Sequence, residues 1–79
     1  MKIAIILHTT FQRQFPKAKD GKLTLELLPG STLEDMLRRL HIKLDLQNTL
    51  LVVNGRNVDL NHILLDGDQV HLIPAISGG

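Results

Sequence analysis

The stretch "PGSTLEDMLRRLHI", residues 29–42, carries the clearest helical period in the chain. Leu33, Met36, Leu37 and Leu40 fall at i, i+3, i+4 and i+7, one apolar stripe along a helix. Thr32 followed by Asp35 three residues on has the form of a capping box; Ser31 with Glu34 is the same motif one residue earlier. Glu34 and Asp35 sit at the positive end of the helix dipole, with Arg38, Arg39 and His41 nearer its negative end. A single short helix with one apolar side must cover something, and the segments on both sides of it are of strand type. That pairing limits the fold more than any other feature.

Residues 2–9 are rich in Ile and Leu and read as a first strand. Pro16 and an Asp20-Gly21 pair punctuate the next stretch, and residues 22–28, "KLTLELL", alternate with Leu23, Leu25 and Leu27 on one side. The two segments form a hairpin with a long connection, the loop 9–22. Residues 42–48 carry little pattern. "TLLVVNGRNVD" then reads as a strand, an Asn54-Gly55 turn and a small strand at 57–59. A further turn at residues 66–68 leads into a last strand from Gln69 to about Ile73. The order β-β-α-β-β specifies an α+β, β-grasp (ubiquitin-like) fold. Its mixed four- to five-stranded sheet carries the helix on one face, with the first and last strands parallel neighbours. The expected division is a domain over residues 1–74 and a flexible C-terminal Gly-Gly tail over residues 75–79.

Composition narrows the function classes. Apolar residues make up 43% of the 79-residue sequence, but Phe11 and Phe15 are its only aromatics, so the core is aliphatic. There is no cysteine, which excludes disulfides, thiolate metal sites and a cysteine nucleophile. A formal net charge of +1 gives no electrostatic footprint for nucleic acid or a membrane surface. No apolar run has the length of a membrane span. The opening "MKIAIIL" lacks a small-residue cleavage site and reads as a strand, not a signal peptide, so the expected location is cytoplasmic.

Strand alternation assigns two faces to the sheet. Ile3, Ile5, Leu7, Leu51, Val53, Val70 and Leu72 point toward the helix. Ala4, Ile6, His8, Val52, His71 and Ile73 point to the open side. Ile6, Val52 and Ile73 around His71 would form an apolar patch, the candidate partner-binding surface. No catalytic constellation stands beside it. His8, His41, His62 and His71 are scattered, with no pair at metal-ligand spacing, so no metal site is expected. Asp66 and Asp68 around Gly67 read as turn residues, and the glycine of "LLPGST" lacks the spacing and lysine of a phosphate loop.

The last residues are "PAISGG". Two glycines without side chains can thread a narrow channel, and a terminal carboxylate is a handle for adenylation by ATP. Asn54-Gly55, Leu65, Asp66-Gly67-Asp68, Val70, Pro74, Ser77 and Gly78-Gly79, with Gly30, Thr32, Leu33, Met36 and Leu37 at the helix entrance, resemble the MoaD/ThiS family of ubiquitin-like sulfur carriers. The nearest pattern is that of the small subunit of molybdopterin synthase. In two places the chain departs from it, in "HTTFQRQFPKAKDGK" after the first strand and in Pro74-Ala75 where the family often has two prolines.

The resemblance implies a carrier without an active site of its own and without a bound cofactor. Gly79 would be adenylated by an ATP-consuming adenylyltransferase of the MoeB/ThiF type. A sulfur donor such as a cysteine desulfurase or rhodanese would then supply the sulfur of a C-terminal thiocarboxylate. Ala75, Ile76, Ser77 and Gly78 would form the inserted tail. A MoaE-like large subunit would accept the sulfur for molybdopterin, the molybdenum or tungsten cofactor. Two alternatives accompany this expectation. One is a ThiS-like carrier serving thiazole synthase in the thiamine pathway. The other is a ubiquitin-like modifier conjugated to proteins through Gly79.

Overall fold

The structure, a computed structural model, describes residues 1–8, 11, 20–41 and 45–74. Strands β1 (Lys2–Leu7) and β2 (Lys22–Glu26) precede helix α1 (Leu33–Leu40), and β3 (Thr49–Val53), β4 (Arg56–Asn57) and β5 (Gln69–Pro74) follow it. They form a five-stranded sheet in the order β2-β1-β5-β3-β4. β1 and β5 are parallel, Ile5 opposite Val70 and Leu7 opposite Leu72; β2 pairs antiparallel with β1, and β3 with both β5 and β4. This is the β-grasp architecture expected from the order of elements.

Turn chemistry sets the hairpins. Asp20 (φ 55°) with Gly21 (φ 74°), and Asn54 (φ 51°) with Gly55 (φ 86°), place two consecutive residues in the left-handed region. Between β3 and β4 that backbone matches the twist of the two strands it joins, and at the entry to β2 it ends the long connection; Asx-Gly pairs adopt it at least cost. The Asn54 turn is also bolted to the one before β5. Asn54 Nδ2 donates to Asp68 Oδ1 (2.8 Å), Leu65 N–H donates to Asp68 Oδ2 (2.8 Å), and Gln69 N–H donates to Asn54 Oδ1 (2.9 Å). Asp68 is the one buried polar or charged side chain among the described residues, and these donors satisfy it. Asp66 Oδ1 accepts from Lys2 N–H at 2.7 Å, tying the same turn to the start of β1.

The helix entrance leaves no early N–H group unpaired. Thr32 is the N-cap, with its hydroxyl accepting from Asp35 N–H (3.2 Å) and Asp35 Oδ2 accepting from Thr32 N–H (3.0 Å). Leu33 N–H donates to His62 O (2.9 Å) and Glu34 N–H to Leu60 O (3.1 Å), so residues 60–64 seat the helix on the sheet. Of the two overlapping capping motifs the later one forms. Ser31 turns back to donate to Leu28 O at 2.7 Å, and Glu34 pairs with Arg38 at 3.2 Å. His41 ends the helix in a left-handed conformation, donating its N–H to Arg38 O.

The helix stripe Leu33, Met36, Leu37 and Leu40 is buried against Ile3, Ile5 and Leu7 of β1, Leu51 and Val53 of β3, and Val70 and Leu72 of β5. Phe11, Leu27 and Leu64 complete the cluster, and Leu23 and Leu25 of β2 pack on it half-buried. The core is aliphatic apart from Phe11. Three local details differ from the expectation. β2 ends at Glu26, because Leu27 turns into the core while its N–H bonds to Met1 O (2.9 Å). β4 occupies Arg56–Asn57, directly after the turn, because a two-residue turn brings Arg56 opposite Val53. The unpatterned connection holds a short 3-10 helix, Leu46–Asn48, capped by Asp45, whose carboxylate accepts from Gln47 N–H (3.2 Å) and Asn48 Nδ2 (2.7 Å). Phe15, Pro16 and most of the 9–22 loop lie outside the described residues.

Thr32→Ala removes one half of the capping box and is expected to lower stability by about 1 kcal/mol in urea denaturation followed by circular dichroism. Asp68→Ala leaves the Leu65 N–H and the Asn54 amide without their acceptor and is expected to cost about 1–3 kcal/mol in the same measurement. Hydrogen bonds from the Thr32 backbone N–H, and then its hydroxyl, hold the Asp35 carboxyl below the usual carboxylate range, with Arg38 adding a smaller effect. Its contribution is therefore in place at neutral pH and is lost as the pH falls below the ordinary carboxylate value toward the depressed one. The stability difference between wild type and Asp35→Asn should narrow over that interval in acid titrations.

Candidate functional site

The helix covers one face of the sheet and leaves the other without a covering element among the described residues. Register places the side chains of that open face in rows. Ile6 lies opposite His71 on the parallel side and His71 lies opposite Val52 on the antiparallel side. The row runs on to Lys22 at the β2 edge and Asn57 at the β4 edge. The next row holds Ile73 opposite Leu50, with His8 following β1 on the other side, its N–H bonded to Leu72 O at 3.2 Å. Ile6, Val52, His71 and Ile73 therefore share one face, and all four are half-buried by their neighbours.

Leu50 belongs to this surface as well. It is 44% exposed and directly opposite Ile73, so it widens the aliphatic area. The alternation of "TLLVV" already carries it: Leu50 and Val52 are two apart and share a side. A second group of exposed aliphatics lies elsewhere. Ile63 and Leu65 line a hollow with Met1, Pro29, Gly30, Leu64 and Asp66, at the end of the sheet where β1 and β5 begin, and Leu28 is exposed just before Pro29 in sequence. β5 runs away from that end toward Pro74.

The histidines are not all scattered. His8 Nε2 and His71 Nδ1 lie 2.9 Å apart, and the ring centroids are separated by 5.2 Å with planes tilted by 32°. Sixty-three positions separate these residues in sequence, and only the parallel pairing of β1 with β5 brings them together. Burial, and then the nearby His8, hold the His71 imidazole below its usual value. Among the described residues, no three His, Asp or Glu side chains gather in a way that could hold a metal ion. Likewise, none of the described helices is long and apolar enough to cross a membrane.

Pro74, the last residue of β5, lies opposite Thr49, and residues 75–79, with Ala75, Ile76, Ser77, Gly78 and Gly79, fall outside the described residues. What the structure fixes is the departure point. The chain leaves from the central pair of strands, at the end of the sheet where His8, Leu50 and Ile73 lie.

Comparisons with known proteins agree on the architecture. SAMP1 from Haloferax volcanii superposes with a TM-score of 0.77 at 18% identity, covering 100% of both chains. Subunits 1 and 2 of the molybdopterin-converting factor from Helicobacter pylori 26695 form a complex in which the matched chain gives 0.66 at 21% identity, with 100% of each chain covered. Ubiquitin from Caldiarchaeum subterraneum gives 0.63 at 26% identity, covering 100% of this chain and 98% of that one. A search of the curated proteins finds no match. The model of the ThiS family matches residues 10–79, which takes in the helix, β3 to β5 and the Gly-Gly ending, and the chain accordingly belongs to the ThiS family.

Proposed function

We propose that this protein is a sulfur carrier that works through the carboxylate of Gly79. The observation that carries the reading is the placement of "AISGG" directly after the central strand of a ThiS-family β-grasp domain. Five extended residues span about 17 Å, enough to reach into a partner's active site while the domain stays outside it. Gly78 and Gly79 offer no Cβ to obstruct a narrow passage.

The chemistry belongs to partners and proceeds on the tail. In an ATP-dependent adenylyltransferase of the MoeB/ThiF type, a carboxylate oxygen of Gly79 bonds to the α-phosphorus of ATP and pyrophosphate departs. Hydrosulfide then attacks the acyl carbon, the C–S bond forms and AMP leaves, giving the thiocarboxylate. If the sulfur arrives instead as the persulfide of a desulfurase or rhodanese, an acyl disulfide forms and a thiol must reduce its S–S bond to release the product. The protein acts as co-substrate and subunit throughout. The domain comprises residues 1–74 and the working arm residues 75–79.

The acceptor divides the readings. Family membership supports the carrier common to thiazole and molybdopterin assembly, and the match to the ThiS family favours a ThiS-like role with thiazole synthase over donation to a MoaE-like large subunit. The likeness to SAMP1 and to an archaeal ubiquitin supports a second reading, conjugation of Gly79 to a lysine amine of another protein. Incubation with ATP, the activating enzyme and sulfide, followed by intact-mass measurement, is expected to show one oxygen replaced by sulfur. Isopeptide-linked ladders with added cell protein would favour the modifier, and an unchanged mass under both conditions would overturn both readings. Removing Gly78 and Gly79 should abolish transfer and leave the thermal midpoint unchanged.

The open face is the surface we propose for docking, with Ile6, Val52, His71 and Ile73 as contact residues and Leu50 beside them. Ile73→Asp is expected to weaken binding to the activating enzyme at least about tenfold, as burying an unpaired charge requires. Its thermal midpoint should fall little, since the side chain is not part of the core cluster.

A further inference from the structure

The two rings on the open face share a single hydrogen bond, and that constrains their chemistry. A contact between His8 Nε2 and His71 Nδ1 at 2.9 Å holds one proton. If His8 donates, its proton is on Nε2 and that of His71 must also be on Nε2. If His71 donates, both rings carry the proton on Nδ1. The neutral pair is therefore locked into matching tautomers. One added proton makes the pair cationic. A second puts hydrogen on both facing nitrogens, which breaks the bond and sets two like charges against each other.

The surroundings favour the neutral pair. In the row of His71, Ile6 and Val52 flank the ring on both neighbouring strands, and Ile73 and Leu50 fill the next row. β3 brings no ionisable side chain to the face, and β5 brings none besides His71. β1 contributes Lys2, two rows and more away; β2 contributes Lys22 opposite Ile6, with Asp20 in the turn before it; β4 contributes only the neutral Asn57, since its Arg56 stands opposite Val53 on the helix side. Glu26, at the distant end of β2, is paired with the amino group of Met1 at 3.4 Å. Neither imidazole has an ion-pair partner among the described residues. A partner laid over this face removes the remaining water from rings that have no counter-ion, and a charged pair there would be left uncompensated.

We propose that the His8–His71 pair makes docking on the open face conditional on pH, with the partner binding only the neutral, singly hydrogen-bonded pair. The inference rests on the docking reading above and assigns that surface a regulatory property. Burial by the partner depresses the imidazole pKa further, so affinity is full above the pKa of the free pair and is lost as the pH falls through it. The occupant this fits is an apolar protein surface without a carboxylate aimed at His71. A partner with such a carboxylate would instead bind more tightly on acidification.

Titration of the protein with its ThiF-type activating enzyme, without ATP, tests this. Between pH 7.5 and 5.5 the dissociation constant of wild type is expected to rise about three- to fivefold, less than the roughly tenfold that excluding one proton from an imidazole of ordinary pKa would give, because His71 is held below that value. For the double variant His8→Gln, His71→Gln the same change should be under about twofold, whatever its affinity at pH 7.5. Nitrogen NMR of the wild-type imidazoles supplies a readout that needs no variant: both rings should show the same tautomer at high pH, and their titration should move to lower pH when the enzyme is added. Binding that Ile73→Asp weakens but that is equally strong at both pH values overturns the pH coupling alone. Binding indifferent to Ile73→Asp overturns the docking surface and the coupling with it. Tighter binding at pH 5.5, or a ring titration unmoved by the enzyme, also overturns the coupling.

Discussion

The parallel pairing of β1 with β5 is the constraint on which the rest of this molecule hangs. Parallel neighbours cannot be joined by a tight turn, so everything between them has to be laid to one side or the other of the central pair. β2 takes the outer side of β1, β3 takes the outer side of β5, and α1 crosses over one face. Ile3, Ile5, Leu7, Val70 and Leu72 are nearly or fully inaccessible because they stand on the two central strands beneath that helix. The same pairing fixes the opposite face. It sets Ile6 beside His71, brings the two imidazoles together, and directs the end of β5 out from the middle of the sheet.

The seating of the helix is the second fixed point. Its first N–H groups are taken by Thr32, His62 and Leu60, so the loop preceding β5 is hydrogen-bonded to the start of α1 as well as to β1. Asp66 and Asp68 extend the same network to Lys2 and Asn54. Two aspartates around a glycine, which could have been mistaken for a pair of catalytic carboxylates, act as acceptors for backbone and amide donors. They hold the last strand in position and leave no free carboxylate pair for acid–base work at that turn.

Most of the architecture was readable from the sequence because its signals are local. The i, i+3, i+4, i+7 stripe, the Thr32 and Asp35 box and the Asn54-Gly55 turn each depend on residues a few positions apart. Alternation then assigned the faces of β1, β3 and β5 correctly, since a register error would have inverted every side chain. The histidine pair was beyond that reach. Alternation places both residues on the open side, but their contact depends on a pairing across sixty-three positions, which spacing alone does not measure. The 3-10 helix is not legible in the sequence for a different reason. Its apolar content is a single exposed leucine, Leu46, and its order comes from Asp45 accepting from the residues just after it, a signal of polar side chains and not of periodicity.

The position of β5 has one more consequence, which concerns assembly. A strand near the end of the sequence occupies the middle of the sheet, with partners on both sides and the helix above it. Until residues 69–74 have been made, β1 and β3 have nothing to hold them side by side, and the leucines of α1 have no floor on which to rest. The hairpin of β1 and β2 is too small to persist alone. Synthesis of the domain must therefore reach its last strand before any stable part of it exists, and folding follows as one event dominated by contacts between distant parts of the domain. A nascent chain that stops short of its central strand has no fold to present to any partner.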